Sequence, residues 1–410
     1  MKSVWDFAVV GGGASGMAAA VAASDFNDSV LILEKNASLG KKIAASGNGR
    51  CNLMNLHPPV YYGDADFAEQ VLRLFTKEDL VRFWNDLGLY LAEEAGGRMY
   101  PCTYQSSSVL DALKIRLKAN HADIRTGTEV LEIRKEHQLF YLKTAQTTFV
   151  SRRVLIATGG AASPKLGGSP SGTQLLESFG HHLVPAGPAL CPLLTDAKSI
   201  SGLAGIRIRC GVSLYGPDQT LLHRERGELL FTAAGISGIC VMQCARFAEE
   251  GCTVRLDLAG QLFPERKDLL GRLKKRKMRI SAFPADTLLH GLLVPKLAYA
   301  VMKQAGIEMK NRTAGDLSNQ ELERIIDRLY GYTIRILGRT GLEEAQVTAG
   351  GAACSEFSPE TMESGLVEGL HASGEVLNVD GDCGGYNLMF AFASGILAGL
   401  NGRSGRESAS

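Results

Sequence analysis

The chain holds 410 residues, with 44 lysines and arginines against 43 aspartates and glutamates, a net charge of +1. That length suits two or three domains, and the near-neutral balance excludes a global field that would draw in nucleic acid or an anionic membrane. Nine scattered cysteines, with no C-x-x-C pair and no metal-spaced His/Cys cluster, exclude a disulfide scaffold and a zinc module. Reduced thiols in the cytoplasm, and no metal, are the expectation.

The opening, MKSVWDFAVVGGGASGMAAAVAAS, has two incompatible readings. Lys2 ahead of an uncharged stretch ending in small residues is the outline of a secretory signal. The same stretch carries Gly11-x-Gly13-x-x-Gly16. With 47 glycines in the chain, three at that spacing recur by chance about 0.6 times, so the context decides. Phe7 to Val10 suits a buried parallel strand, and Ala14 to Ala23 is rich in the best helix former. Ser29 to Leu33 is a second buried strand ending in Glu34, 18 residues past Gly16, where an acidic side chain can reach a ribose. Gly11 permits the tight turn, Gly13 lets a phosphate approach the backbone, and Gly16 lets helix and strand pack. The helix N-terminus then offers free N–H groups to a pyrophosphate. The dinucleotide reading prevails and keeps the chain in the cytoplasm.

Next, Gly40-Lys41-Lys42 leads into Ala45 to Asn52, a glycine-rich loop. Residues 64 to 88 predict one helix from apolar positions at three- and four-residue steps. Gly97 to Pro101 reads as loop, Ser107 as the cap of a helix over Val109 to Leu117, and Ile124 to Val150 as a β-meander. Arg153 to Gly160 is a strand running into glycines, and Ser163 to Thr173 is loop. Three prolines between Pro185 and Pro192 mark a domain boundary. Beyond it come strands at Ile206 to Leu214, Glu228 to Phe231 and Thr253 to Leu258. A basic helix follows, with eight Lys/Arg between Arg266 and Arg279. A solvated face is expected there, with a nucleic-acid patch as the alternative. Val347 to Gly351, Gly369 to Glu375 and Val379 to Gly381 return to strand-then-glycine patterns, and Leu388 to Leu400 is an apolar helix. The run 384 to 402 is too interrupted by glycines to span a membrane.

Three glycine-rich strand ends spread over the whole chain point to FAD, a long cofactor held extended by contacts from separate strands. Gly11 to Gly16 would take the pyrophosphate and Glu34 the ribose. The 374–380 segment, ending in Asp380, would take the ribityl or phosphate region. The helix opening near Asn387 would aim its positive end at the flavin N1/C2 edge. No second G-x-G-x-x-G is present for a nicotinamide.

GGGASG, EKNASLGKKIAASGNGRCN, ATGG, ELLFTAAGISG and the block from VTAGGAACSEF through VDGDCGGYNLMFAFASG together resemble the bacterial NAD(P)/FAD-dependent oxidoreductases of the aminoacetone oxidase-like type. The resemblance runs in order over nearly the whole chain. It implies an α/β fold: a glutathione-reductase-like Rossmann FAD domain from residues 1–190 and 345–410, with an inserted domain at 191–344. The insert would combine a β-barrel-like part with a helical part at about 260–330. Carried over as FAD contacts are Gly11, Gly13, Gly16, Glu34, Arg50, Gly159, Glu375, Asp380 and Asn387. Ala14, Ser15, Lys35, Val130, Thr158, Gly160, Gly374, Gly385 and Leu388 complete the expected set. Cys383 stands where the family usually has threonine, and Met389 to Phe392 replaces a Gln-Trp-Ala-Trp type run. Relatives are assigned both aminoacetone oxidation and reduction of unsaturated 3-oxo bile acids.

The expectation is therefore an FAD-dependent oxidoreductase passing a hydride between flavin N5 and a small molecule, with NAD(P)H as a candidate donor. The alternatives are an amine oxidase using oxygen and a flavin-dependent RNA-modifying protein. Neither a membrane nor a nucleic-acid partner is expected. Arg50, Cys51, Asn52, Tyr100, Thr348 and Tyr386 are candidates to line the pocket. Arg50 pairs an anion or pins its own loop; Cys51 is a buried packer or, with a lowered pKa, a redox thiol. Tyr386 is a proton donor or a loop anchor. The apolar Met389–Phe392 run favours an apolar substrate if it faces the pocket.

Overall fold

The computed structural model describes residues 4–401, in two compact units, 4–188 with 345–401 and 189–344. In the first unit, strand β1 (Val4–Val10) leads through helix α1 (Ala14–Ser24) to β2 (Val30–Leu33). After helix α2 (Lys41–Ala45) the sheet continues with β3 (Asp123–Arg125), β4 (Val130–Glu136), β5 (Leu139–Thr144) and β6 (Thr148–Ile156). The C-terminal return adds β7 (Leu370–Ala372) and helix α3 (Tyr386–Asn401). The spatial order is β3-β2-β1-β6-β5-β4, with β7 also on β6. Strands β2, β1 and β6 pair in parallel, so β1 is paired along both edges, and its second half is fully buried, as its unbroken apolar run requires. The strand β6 divides its bonding: Thr148 to Ser151 pair antiparallel with β5, and Val154 to Ile156 parallel with β7. This is the Rossmann arrangement expected.

Helix α1 is buried from Ser15 to Ser24, because α3 packs across it. Alanines therefore serve a second purpose there beyond helix propensity, since they let two helices approach closely.

Several local expectations are corrected. The stretch 64–88 is two helices, Ala65–Leu74 and Lys77–Asp86. They break at Thr76 because its hydroxyl accepts from Asp79 N (3.2 Å) while the Asp79 carboxylate accepts from Thr76 N (2.9 Å), a reciprocal cap that apolar spacing does not reveal. Ser107 lies inside the helix Ser106–Ala119 rather than at its cap. Arg98–Pro101 is a strand, paired with Met54–Asn55 and Leu91–Glu94. Only Leu370–Ala372 of the 369–375 stretch is strand, and α3 begins two residues before Leu388, at Tyr386.

The second unit is built on a closed six-stranded barrel. Leu193–Thr195 closes it by pairing with both Gly235–Ser237 and Tyr332–Arg339, and Leu221–Phe231, Arg207–Tyr215 and Thr253–Asp257 complete the ring. Closure removes the sheet edges that would otherwise invite pairing with other chains. Between its last two strands lie helices Arg266–Arg279, Pro295–Gln304 and Asn319–Leu329.

The third of these helices is tied down by Arg312, whose guanidinium donates to both Glu321 oxygens at 2.7 and 2.9 Å. That hydrogen-bonded pairing pulls the Glu321 carboxyl down from 4.5 to about 2. A depressed folded pKa stabilises above the unfolded value and is lost as pH falls through the folded one. Allowing for solvent screening, about 1–2 kcal/mol should disappear between pH 4.5 and 2. In acid titrations followed by denaturant unfolding, Glu321→Gln should lose this part of the slope; a slope equal to that of the wild type would refute the role given to this pair. Among the described residues, no helix is long and apolar enough to cross a membrane.

Candidate functional site

The turn after β1 is shaped by what its glycines lack. Gly11 has φ +108°, and a Cβ there would sit 2.5 Å from the Ala157 carbonyl oxygen. A Cβ on Gly16 would lie 2.0 Å from the Gly11 carbonyl oxygen, so α1 rests directly on the turn. A Cβ on Gly13 would meet nothing within 4 Å. Space therefore opens in front of Gly13, at the N-terminus of α1, where the free N–H groups of its first turn, at Ala14 and Ser15, begin.

Glu34 is buried at the end of β2 and already engaged. Its Oε2 accepts from Gly12 N at 2.8 Å, and its Oε1 accepts from Asn36 N and Nδ2 at 2.7 and 2.6 Å. A carboxylate has about four lone-pair directions, so room remains for a hydroxyl. Gly12, the middle glycine, was not singled out from the sequence, yet its N–H orients this side chain. Thr128 N donates to the Glu34 carbonyl, bringing the buried Val130 alongside the end of β2; Lys35 is half-buried just beyond.

The C-terminal segment meets the same turn. Gly374 has φ +72°, and a Cβ there would stand 2.8 Å from Ser15 Oγ. Ser15 Oγ donates to the Ser373 carbonyl, and Gly374 N donates to Ser394 Oγ of α3. Glu375 continues the line, its Oε1 accepting from Thr348 N at 2.9 Å and its Oε2 from Lys42 Nζ at 3.0 Å. Gly160 fits only because it has no Cβ, which would fall 2.3 Å from Thr348 Oγ1; Gly159, next to Thr158, adopts φ +72°. Thr348 Oγ1 itself accepts from Ala162 N. Glu375 and Thr348 thus brace the junction of three chain segments. Lys42 is the partner that sequence reasoning missed, and its only signal was the Gly-Lys-Lys run after β2.

A third group gathers around the loop 46–52. Arg50 pairs with Glu94 at 2.9 Å and stacks over Tyr100 at 4.5 Å, so its guanidinium pins the loop. Cys51 is fully buried, and burial pushes its thiol up to about 11 against an opposing Ser46 hydrogen bond. Burial likewise raises the Cys383 thiol. The redox-thiol reading of Cys51 is therefore corrected: a buried thiol with raised pKa stays protonated and unreactive.

Asp380 is buried in the short strand Val379–Gly381, which pairs with Tyr61–Gly63. The Asn387 side chain closes on the backbone of Gly381, donating to its carbonyl and accepting from its N–H, both at 2.8 Å. That clasp fixes Gly385 and Leu388 at the start of α3. Tyr61 Oη donates to the Tyr386 carbonyl at 2.9 Å, and burial with nearby Asp382 raises the Tyr386 hydroxyl. The apolar run beyond it does not face a pocket. Met389, Phe390 and Phe392 are core residues, Phe392 edge-on to Trp84 and Phe390 against Tyr61, so they carry no information about a substrate.

The first unit therefore brings Glu34, the glycine turn and Gly374–Glu375 against one another, and sets Asn52 of the 46–52 loop beside Gly385 at the start of α3. The profile of the HI0933-like protein Rossmann domain matches residues 5–401. The 3-dehydro-bile acid delta(4,6)-reductase of Clostridium scindens is 36% identical over 406 residues, covering 95% of this chain and 97% of the relative. The ribosomal RNA dihydrouridine synthase of Escherichia coli is 30% identical over 398 residues, covering 95% and 96%. Among solved structures, 3-ketosteroid-delta4-(5alpha)-dehydrogenase from Rhodococcus jostii RHA1 aligns with a TM-score of 0.46 at 14% identity, covering 98% of this chain and 97% of that one.

Proposed function

The chain belongs to the HI0933-like Rossmann-domain family and is an FAD-dependent oxidoreductase, and from that premise we propose that it reduces a carbon–carbon double bond conjugated to a carbonyl in a small molecule such as an unsaturated 3-oxo compound. The collinear 36% identity with the Clostridium scindens reductase carries this reading. Bound FAD supplies the hydride-transfer centre, and NAD(P)H is the proposed donor to it. The turn Gly11–Gly16 and the first N–H groups of α1 would hold the pyrophosphate, and the remaining lone pairs of Glu34 would take the ribose. The N-terminus of α3 would supply positive partial charge to the flavin ring when it is bound. Tyr386, kept protonated by burial and by Asp382, holds the proton that saturation of the double bond consumes. With no C-x-x-C pair in the chain, flavin rather than a dithiol pair carries the electrons, and nine free cysteines suit a cytoplasmic protein.

A second reading, RNA as the hydride acceptor, draws on one observation. Lys267, Lys274, Lys275 and Arg279 are exposed on the helix Arg266–Arg279 with no partner among the described residues. Anaerobic addition of NADH or NADPH to the purified protein should bleach the flavin band, and an unsaturated 3-oxo steroid should then restore it. Restoration by uridine-containing RNA instead, weakening steeply with salt, would favour the second reading. Bleaching by aminoacetone alone would make the protein an oxidase and defeat both.

A further inference from the structure

The loop that ends at Asn52 is held in a conformation that costs energy. Gly47, Asn48 and Cys51 all have φ between +56° and +58°, and a non-glycine residue in that region costs about 1–3 kcal/mol. The cost is met by burial of the Cys51 side chain and by two ties, Cys51 N to the Ser46 carbonyl at 3.0 Å and Leu53 N to the Met99 carbonyl at 2.9 Å. What the strained loop presents is the Asn52 amide. Glycines crowd the residue at both ends, Gly47 at its backbone nitrogen and Gly385 at its side-chain oxygen. A Cβ on Gly47 would come within 3.0 Å of Asn52 N, and one on Gly385 within 2.9 Å of Asn52 Oδ1. Despite this crowding, Asn52 Oδ1 is buried and accepts no hydrogen bond among the described residues. An acceptor left in that state costs as much as a lost hydrogen bond, so a donor is missing from the picture.

Gly385 immediately precedes α3, whose first-turn N–H groups have no helical acceptor. An acceptor with no partner among the described residues and the N–H end of a helix thus stand side by side. Their complement is an imide edge, a carbonyl next to an N–H. The isoalloxazine ring carries that pair at C2=O and N3–H, on adjacent atoms. Resting on the FAD reading above, we infer that Asn52 is the residue that accepts the flavin N3–H while the start of α3 takes O2. The strained loop is the device that positions it.

The test compares FAD with N3-methyl-FAD, which lacks this donor, by equilibrium binding to the apoprotein. Wild type should prefer FAD by about tenfold or more, the range expected when a buried acceptor loses its partner. Asn52→Ala should bring the two affinities within about threefold, whereas Asn52→Asp, which keeps an acceptor in the same volume, should retain the preference. Far-UV circular dichroism of each variant secures the fold. A preference for FAD that persists in Asn52→Ala overturns the assignment while leaving the flavin reading intact. Loss of the preference in both variants also overturns it, because packing rather than acceptance would then be the cause. Wild-type protein that binds neither form overturns the flavin reading together with the assignment.

Discussion

A Gly16→Val protein is expected to purify without flavin and to unfold well below the wild type. The added Cβ alone would stand 2.0 Å from the Gly11 carbonyl oxygen and 3.1 Å from Val9 Cγ1. The carbonyl cannot retreat, because Gly11 is held at φ +108° and its N–H is bonded to the Leu33 carbonyl at 2.9 Å. The N-terminus of α1 must move instead, carrying the N–H groups proposed for the pyrophosphate with it. Overpacking against backbone should cost about 3 kcal/mol or more, on the order of 10 °C in Tm for a unit of this size. Gly13→Ala separates cofactor from fold. Its Cβ meets nothing within 4 Å and its φ is −85°, so stability should change by about 1 kcal/mol or less. The methyl nevertheless enters the space proposed for the phosphate, and FAD affinity should fall about tenfold or more. Flavin content by absorbance and Tm by calorimetry read both. Unchanged FAD binding in Gly13→Ala would remove the phosphate from this turn.

The second large effect is expected at the crossing of α1 and α3. A Cβ on Gly395 would lie 2.2 Å from the Ser15 carbonyl oxygen, and one on Gly399 2.4 Å from that of Ala19. These two glycines, one helical turn apart, set how closely the helices approach. Gly395→Leu should prise them apart at a cost at the upper end of the overpacking range, about 3 kcal/mol. The damage should reach the cofactor, because neighbouring Ser394 Oγ holds Gly374 N at 3.1 Å. A lower Tm with weakened flavin retention is the expected pair of results. A Tm within about 2 °C of wild type would mean that the helices can slide without cost.

Some of this was legible in the sequence because the signal was local. The order apolar run, glycine turn, alanine-rich helix, apolar run and glutamate occupies residues 7 to 34. Each part is dictated by backbone sterics or by burial within a few residues. The basic helix Arg266–Arg279 was equally plain, since eight cations in one amphipathic stretch leave little else to form. The break at Thr76 was harder. Its cap is a side-chain exchange with Asp79 that competes with an apolar period running straight through it.

The sequence by itself determined the Rossmann glycine turn and the strands beside it, and it marked a change of character at the prolines between 185 and 192. Only the tertiary structure decided what those residues do to one another. It turned Arg50 toward Glu94, closed Asn387 on Gly381 and sent Met389, Phe390 and Phe392 into the core. It also joined Lys42 to Glu375 across 333 positions of chain and closed the barrel through Leu193–Thr195. Such partners are set by which surfaces meet after collapse, and spacing along the chain has no record of that. The unpaired oxygen of Asn52 belongs to the same class: a missing partner is visible only once every neighbour is in place.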